Sequence, residues 1–179
     1  MSGFAVTVRP AVPDDIAAIV EIYADAVRTG TASFELAPPG TEEMARRMTA
    51  LLDGGYPYLA AELDGAVVGY AYAGAYRPRP AYRFTVEDSV YVARPAWGRG
   101  VARALLRELI AVAEAKGFRQ MIAVIGDEAS AGSIALHRAL GFEHAGTLKS
   151  VGWKHDQWRA TVLMQRPLGA GDTAPPRDA

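Results

Sequence analysis

The chain has 179 residues, 50% of them hydrophobic, and a formal net charge of −1; one domain with a sizeable core is expected, and bulk charge gives no support to a nucleic-acid or membrane-surface partner. It contains no cysteine, which excludes disulfides, thiolate metal sites and a Cys nucleophile, and His137, His144 and His155 lack metal-ligand spacing, so no metal is expected. There is neither a basic, then apolar, leader nor an apolar run of ~18 residues, so a cytoplasmic, soluble protein is the expectation.

Residues 5–9 alternate as a short strand. Pro13-Asp14-Asp15 opens a helix with acidic residues in its first turn. Ile16, Ile19, Val20, Tyr23 and Val27 then recur at helical spacing until Thr29-Gly30-Thr31. A loop over 32–40 carries Phe34 and Glu35. Thr41 is placed as the N-cap of a second helix through Leu52, stopped by Gly54-Gly55. The apolar runs 58–63 and 66–75 are joined by Asp64-Gly65, a strong hairpin signal. A loop rich in Arg and Pro follows over 76–81.

A long strand is expected over 82–92, with Phe84, Val86, Val90 and Val92 on one face and Arg83, Thr85, Glu87, Ser89 and Tyr91 on the other. Val101, Leu105, Leu109 and Val112 mark the buried side of a helix ending at Gly117. Residues 121–125 form an apolar strand covered on both faces. A helix over 130–140 stops at Gly141, and two last strands lie around 143–151 and 157–164. His144 is expected at the surface. Residues 1–168 read as a single α/β domain with a mixed sheet, and 169–179, rich in Gly, Ala, Asp and Pro, as a disordered tail.

The segment from Thr85 to Leu106 is the most informative. A strand runs into Trp97-Gly98-Arg99-Gly100-Val101-Ala102-Arg103, which opens a helix. The first turn of a helix offers unpaired N–H groups and partial positive charge. Glycines let a phosphate approach those groups, and Arg99 and Arg103 add charge. A carboxylate, Glu87, lies one strand-length upstream. An anchored phosphate beside a base suggests an enzyme with a phosphate-bearing cofactor. A nucleotide-binding P-loop is disfavoured, because no Gly-Lys-Ser or Gly-Lys-Thr ending is present.

Here the chain resembles the GNAT N-acetyltransferase superfamily, whose acetyl-CoA motif reads Gln or Arg, two residues, Gly, one residue, then Gly or Ala. Residues Trp97 to Ala102 fit this pattern with Trp97 in place of the polar first residue. Five further segments resemble the phosphinothricin and methionine sulfoximine acetyltransferase subgroup. They are Tyr70-Ala71-Tyr72-Ala73-Gly74, Thr85-Val86-Glu87, Val124-Ile125-Gly126, His137-Arg138-Ala139-Leu140-Gly141-Phe142 and Gly152-Trp153-Lys154-His155.

The resemblance implies a GNAT fold, with about seven strands in a mixed sheet flanked by about four helices. It implies acetyl-CoA as cosubstrate. The backbone of Val90, Tyr91 and Val92 would pair with the pantetheine arm where two strands splay apart. Gly98, Arg99, Gly100, Val101, Ala102 and Arg103 would cradle the pyrophosphate, with Ser130 and Ser133 as further cofactor contacts or helix caps. Glu87 would be the base that takes a proton from the substrate amine, directly or through water. His137 would be the general acid for the leaving thiolate, or a cofactor contact.

The same resemblance makes the Arg77 and Arg79 loop a substrate wall, with Phe34, Glu35 and Tyr82 nearby, and places Lys154 and His155 at the pocket from a turn between the last strands. Trp153 and Trp158 are read as packing residues. The expected reaction is acetyl transfer by direct attack to the α-amine of a small amino-acid-like substrate: phosphinothricin, methionine sulfoximine or methionine sulfone. Such chemistry would detoxify a glutamate mimic and confer herbicide resistance. A homodimer is implied by the resemblance alone. The rivals are an acetyltransferase for another amine (an amino acid, a polyamine or a protein N-terminus) and a non-catalytic acetyl-CoA sensor.

Overall fold

The computed structural model describes residues 6–127 and 130–176. Seven strands form one sheet in the order β1-β2-β3-β4-β5-β7-β6. They are β1 Thr7–Pro10, β2 Tyr58–Leu63, β3 Ala66–Ala75, β4 Thr85–Val92, β5 Gln120–Ile125, β6 Glu143–Lys154 and β7 Gln157–Pro167. All neighbours are antiparallel except β4 and β5, which are parallel. Four helices cover the sheet: α1 Ile16–Thr29, α2 Thr41–Asp53, α3 Val101–Ala115 and α4 Ala131–Ala139. This is the mixed α/β sandwich expected of a GNAT fold.

The helices divide between two apolar clusters, one on each face of the sheet. Ile19, Ile22, Tyr23 and Val27 of α1 and Met44 and Met48 of α2 pack with Tyr58, Ala60 and Tyr70. On the other face Val101, Leu105, Leu106, Leu109 and Ala113 of α3 pack with Leu59, Ala61, Ala71, Ala73 and Val86, joined by Ile134, Leu136 and Leu140 around α4. Leu105, Leu106 and Leu109 are fully buried. Each contributes about 1.5–3 kcal/mol of hydrophobic free energy, so α3 is the main clamp on its side.

Several boundaries differ from the sequence expectation, each for a local reason. The first strand begins at Thr7; Ala5 lies outside the described residues. Pro13–Asp15 form a 3-10 turn ahead of α1, held by Asp15, which accepts the Val12 N–H and pairs with Arg9. Gly40, not Thr41, is the N-cap of α2. The long strand starts at Thr85, because Pro80–Tyr82 form a 3-10 turn. β6 and β7 are longer than expected, and the turn between them is His155-Asp156, both with positive φ, so Gly152, Trp153 and Lys154 belong to β6.

The Asp64-Gly65 hairpin stands as read, with φ of 56° and 80°, the left-handed pair a tight two-residue turn requires. At the C-terminus, Arg119 donates to the carbonyls of Gly171, Ala174 and Pro175, which ties this part of the tail to the start of β5.

Candidate active site

The site arises where β4 and β5 part. Their parallel pairing runs from Thr85↔Gln120 to Asp88↔Ala123 and stops, although β4 continues to Val92 and β5 to Ile125. Beyond that vertex β4 still pairs with β3, and β5 with β7. The second edge of Ser89–Val92 therefore faces a cleft of about 980 Å³. Val90, Tyr91, Val92, Gly98, Gly100, Val101, Ala102, Arg103, Ser130 and Ser133 line it, together with Phe34, Glu87, Asp88 and His137. One backbone group is already engaged: the Trp97 indole N–H donates to the Val92 carbonyl at 2.8 Å.

The mouth of the cleft is built for an anion. Gly98 and Gly100 have φ of 74° and 81°, and a Cβ at either would meet open space. Left-handed backbone suits glycine, and the space above it is the room a phosphate group needs. Gly100 caps α3, and the first turn of that helix presents the N–H groups of Val101, Ala102 and Arg103. Arg99 turns away and approaches Asp64 at 3.9 Å, outside the cleft lining. The residues present fit a long cofactor with a phosphate end, because open backbone edge, glycine cradle and helix terminus lie along one continuous cleft.

At the vertex stand two adjacent carboxylates on opposite faces of β4. Glu87 shares a face with Ser89 and Tyr91, on the α1/α2 side; burial, then the negative charge of Asp88, raises its pKa above the usual Glu range. Neither cause is a cation, and both disfavour the charged form. Asp88 shares a face with Val86, on the α3/α4 side, and its Oδ2 lies 3.0 Å from His137 Nε2. His137 Nδ1 donates to the Ser133 carbonyl at 2.7 Å. Burial works to lower the pKa of His137, but the hydrogen bond and charge of Asp88 and the Ser133 carbonyl raise it overall.

The α1–α2 loop forms the wall on the Glu87 side. Tyr23 donates to Glu35, which also pairs with Arg47, while the Tyr23 and Ser33 hydroxyls hydrogen-bond at 2.8 Å. The β6–β7 hairpin clamps this loop from outside. Lys154 is buried and donates from Nζ to the Ser33 carbonyl at 2.6 Å; burial lowers its pKa, with Glu35 opposing. His155 Nε2 lies 3.2 Å from the Gly30 carbonyl. A Cβ at Gly152 would overlap the Phe34 ring, so that glycine sets how closely the hairpin approaches the loop. Tyr72 lines both the main cleft and a second cavity of about 320 Å³ with Tyr23, Arg47, Tyr58 and Tyr70.

Sequence and structure divide at particular residues. Phe34 is at the cleft, whereas Glu35, Lys154 and His155 brace its wall from behind. Arg77, Arg79 and Tyr82 lie on the exposed segment between β3 and β4, with Arg77 over the Tyr76 ring and Tyr76 packed edge-on against Tyr82. Trp153 and Trp158 do pack, on each other at 5.4 Å between centroids, but they do so at the surface, 54% and 64% exposed, because β6 is an edge strand. Asp88 and Tyr72 were missed. The signal for Asp88 was a carboxylate on the face of β4 that otherwise carries Val86, Val90 and Val92.

Residues 17–142 match the Acetyltransferase (GNAT) family. The chain belongs to that family. It is an N-acetyltransferase by its relatives. A phosphinothricin N-acetyltransferase from Alcaligenes faecalis is 58% identical over 96% of this chain and 87% of its own. An L-methionine sulfoximine/L-methionine sulfone acetyltransferase from Pseudomonas paraeruginosa is 39% identical over 94% of this chain and 98% of its own. Among solved structures, a GNAT superfamily phosphinothricin acetyltransferase from Sinorhizobium meliloti in complex with AcCoA superposes with a TM-score of 0.94. It is 51% identical and covers 97% of this chain and 94% of that one. Among the described residues no group of three or more His, Cys, Asp or Glu could hold a metal ion, and no helix is long and apolar enough to cross a membrane.

Proposed function

We propose that this acetyltransferase moves the acetyl group of acetyl-CoA to the α-amine of a small amino-acid-like substrate, with phosphinothricin, methionine sulfoximine and methionine sulfone as the leading acceptors. The observation that carries the reading is the placement of Glu87 at the vertex of the β4–β5 splay, on the face away from α3 and α4. The pantetheine arm lies along the open edge of β4 with the pyrophosphate over Gly98–Arg103. This brings the thioester to the vertex between Glu87 and His137.

The acceptor enters on the Glu87 side, beside Phe34 and Tyr72. Its amine arrives protonated, since amine pKa values lie above ~7.7. Glu87 removes the proton, directly or through one water, and the neutral amine attacks the thioester carbonyl. The adduct's nitrogen gives up its second proton, through Glu87 or water, as the C–S bond breaks and the sulfur leaves with its electron pair near the His137 ring. Arg77 and Arg79 lie in the exposed loop that joins β3 to β4, beyond the Gly74↔Glu87 and Ala75↔Val86 pairs, and we assign them the acceptor's carboxylate. The relatives' substrates support this acceptor class, as does their coverage of nearly the whole chain.

Acetylation removes the amine charge a glutamate mimic needs, so the biological role is detoxification and herbicide resistance in a cytoplasmic setting. The assembly is a homodimer through the outer side of β6 and β7, supported by the exposed Leu148, Val151, Trp153 and Trp158.

Acetyl-CoA-dependent release of CoA thiol tests the activity, and the absence of cysteine keeps the reagent background low. The panel is the three analogues beside common amino acids, a polyamine and a peptide. Turnover confined to the analogues supports the acceptor assignment. Turnover only on another amine overturns it, and cofactor binding without any turnover favours a sensor.

A further inference from the structure

We propose that Asp88 is a positioning residue for acyl transfer: it holds His137 as a doubly protonated imidazolium at the vertex of the cleft, where the cofactor's sulfur departs. This rests on the acetyltransferase reading above.

Both ring nitrogens of His137 face oxygen acceptors. The Ser133 carbonyl, 2.7 Å from Nδ1, has no proton to give, so Nδ1 carries one. Asp88 Oδ2 is 3.0 Å from Nε2. A neutral ring would set an Nε2 lone pair against a carboxylate lone pair. Burial lowers the ring's pKa, but the hydrogen bond and charge of Asp88 and the Ser133 carbonyl raise it overall, so the shared proton is assigned to the ring. The ring is therefore a cation with two N–H donors, and it cannot act as a base.

The placement of this pair is not explained by stability. Its side chains are only 5% and 3% exposed, and burying an ion pair is offset by desolvation. A carboxylate kept for packing would have both oxygens satisfied. Asp88 Oδ1 is buried without a hydrogen-bond partner among the described residues. Asp88 is also the last β4 residue paired with β5, and both members of the pair line the cleft. Around the ring, β4 supplies Asp88, with Glu87 on the opposite face; α4 supplies the Ser133 carbonyl and hydroxyl; and the Phe142 ring packs edge-to-face at 4.9 Å between centroids.

The ammonium loses two protons on its way to the amide, one to Glu87 before attack and the second, through Glu87 or water, as the tetrahedral adduct collapses. As the C–S bond breaks, the sulfur takes the bonding pair and leaves as a thiolate stabilised by the charge of the imidazolium, whose N–H groups stay on Asp88 and on the Ser133 carbonyl. The two amine protons reach solvent and the thiolate takes one back, so one proton is released per turnover.

Two readouts on Asp88→Asn test this. The first is the ¹⁵N spectrum of the His137 ring in the free protein, assigned with His144→Gln and His155→Gln. Wild type at pH 7 is expected to show two protonated nitrogens, and Asp88→Asn one. The second is the pH profile of kcat. Removing the charge of Asp88 lowers the pKa of both Glu87 and His137, so both limbs are expected to move to lower pH. At the wild-type optimum kcat should fall about tenfold to a hundredfold, with acceptor KM changed less than about twofold. Asp88→Glu should restore part of kcat.

A neutral His137 in the wild-type protein overturns the proposal. So do unmoved limbs with undiminished kcat in Asp88→Asn, even if its melting temperature falls. Failure of the acetyltransferase reading shows differently, as a wild-type protein that turns over no amine.

Discussion

Glu87 and Asp88 are neighbours in the chain with the same functional group, yet β4 gives them different surroundings. Alternation along a strand sends the first to the α1/α2 face and the second to the α3/α4 face. Glu87 is half-buried, and burial and the charge of Asp88 raise its pKa. Asp88 is buried against a histidine that α4 brings to it from 49 residues away. In the proposed mechanism one strand therefore supplies two kinds of carboxylate, a proton acceptor beside the amine and an anchor behind the leaving group. The lesson is that the end of β4–β5 pairing matters as much as residue type. It is the splay at Asp88↔Ala123 that opens a cleft at both faces at once.

The comparison breaks most visibly at Glu87. Glu87→Gln keeps the shape and removes the base, so kcat should fall about 10²–10⁴-fold. Affinity for acetyl-CoA, measured by calorimetry, should stay the same. Turnover that survives the change would remove Glu87 from the mechanism. Gly100→Glu attacks the other half of the site. It puts a carboxylate into the space above a residue with φ of 81°, so cofactor binding should be lost, whereas Glu87→Gln should leave it intact. Retained binding would mean that the phosphate lies elsewhere.

Smaller effects sharpen the same contrast. Tyr72 reaches Glu87's side of the cleft; burial raises its pKa, with the Ser89 hydrogen bond opposing. Tyr72→Phe should lower kcat/KM by about fivefold, the worth of one neutral hydrogen bond; no change would place the acceptor away from this wall. Arg79→Ala should raise KM for a carboxylate-bearing acceptor while leaving kcat in place. An unchanged KM would move the carboxylate site to another cation.

Much of this arrangement was legible in the sequence, and the remainder was not for physical reasons. The Asp64-Gly65 hairpin, the apolar stripe of α3 and the Gly98-to-Arg103 turn carry local signals, and they stand where those signals put them. Residues 82–84 looked like strand because their side chains suit one, but Pro80 directs the backbone into a 3-10 turn first. Trp153 and Trp158 read as packing residues and do pack on each other, but strand order puts β6 at the sheet edge and leaves them exposed. Lys154 looked like a pocket residue, and the structure buries it under the loop as a strut to Ser33. The Asp88–His137 pair depends on a contact between β4 and α4. Neither residue carries a local mark of it beyond an acid on an apolar face.

The most direct measurement is the pH dependence of kcat for wild type and Glu87→Gln with the best acceptor. Because the pKa of Glu87 is raised, activity of the wild type should be lost as pH falls through a value above the ordinary Glu range. The residual activity of Glu87→Gln should show no such limb. An acidic limb that persists at the same pH in the variant would contradict the account, since the proton acceptor would then be another group.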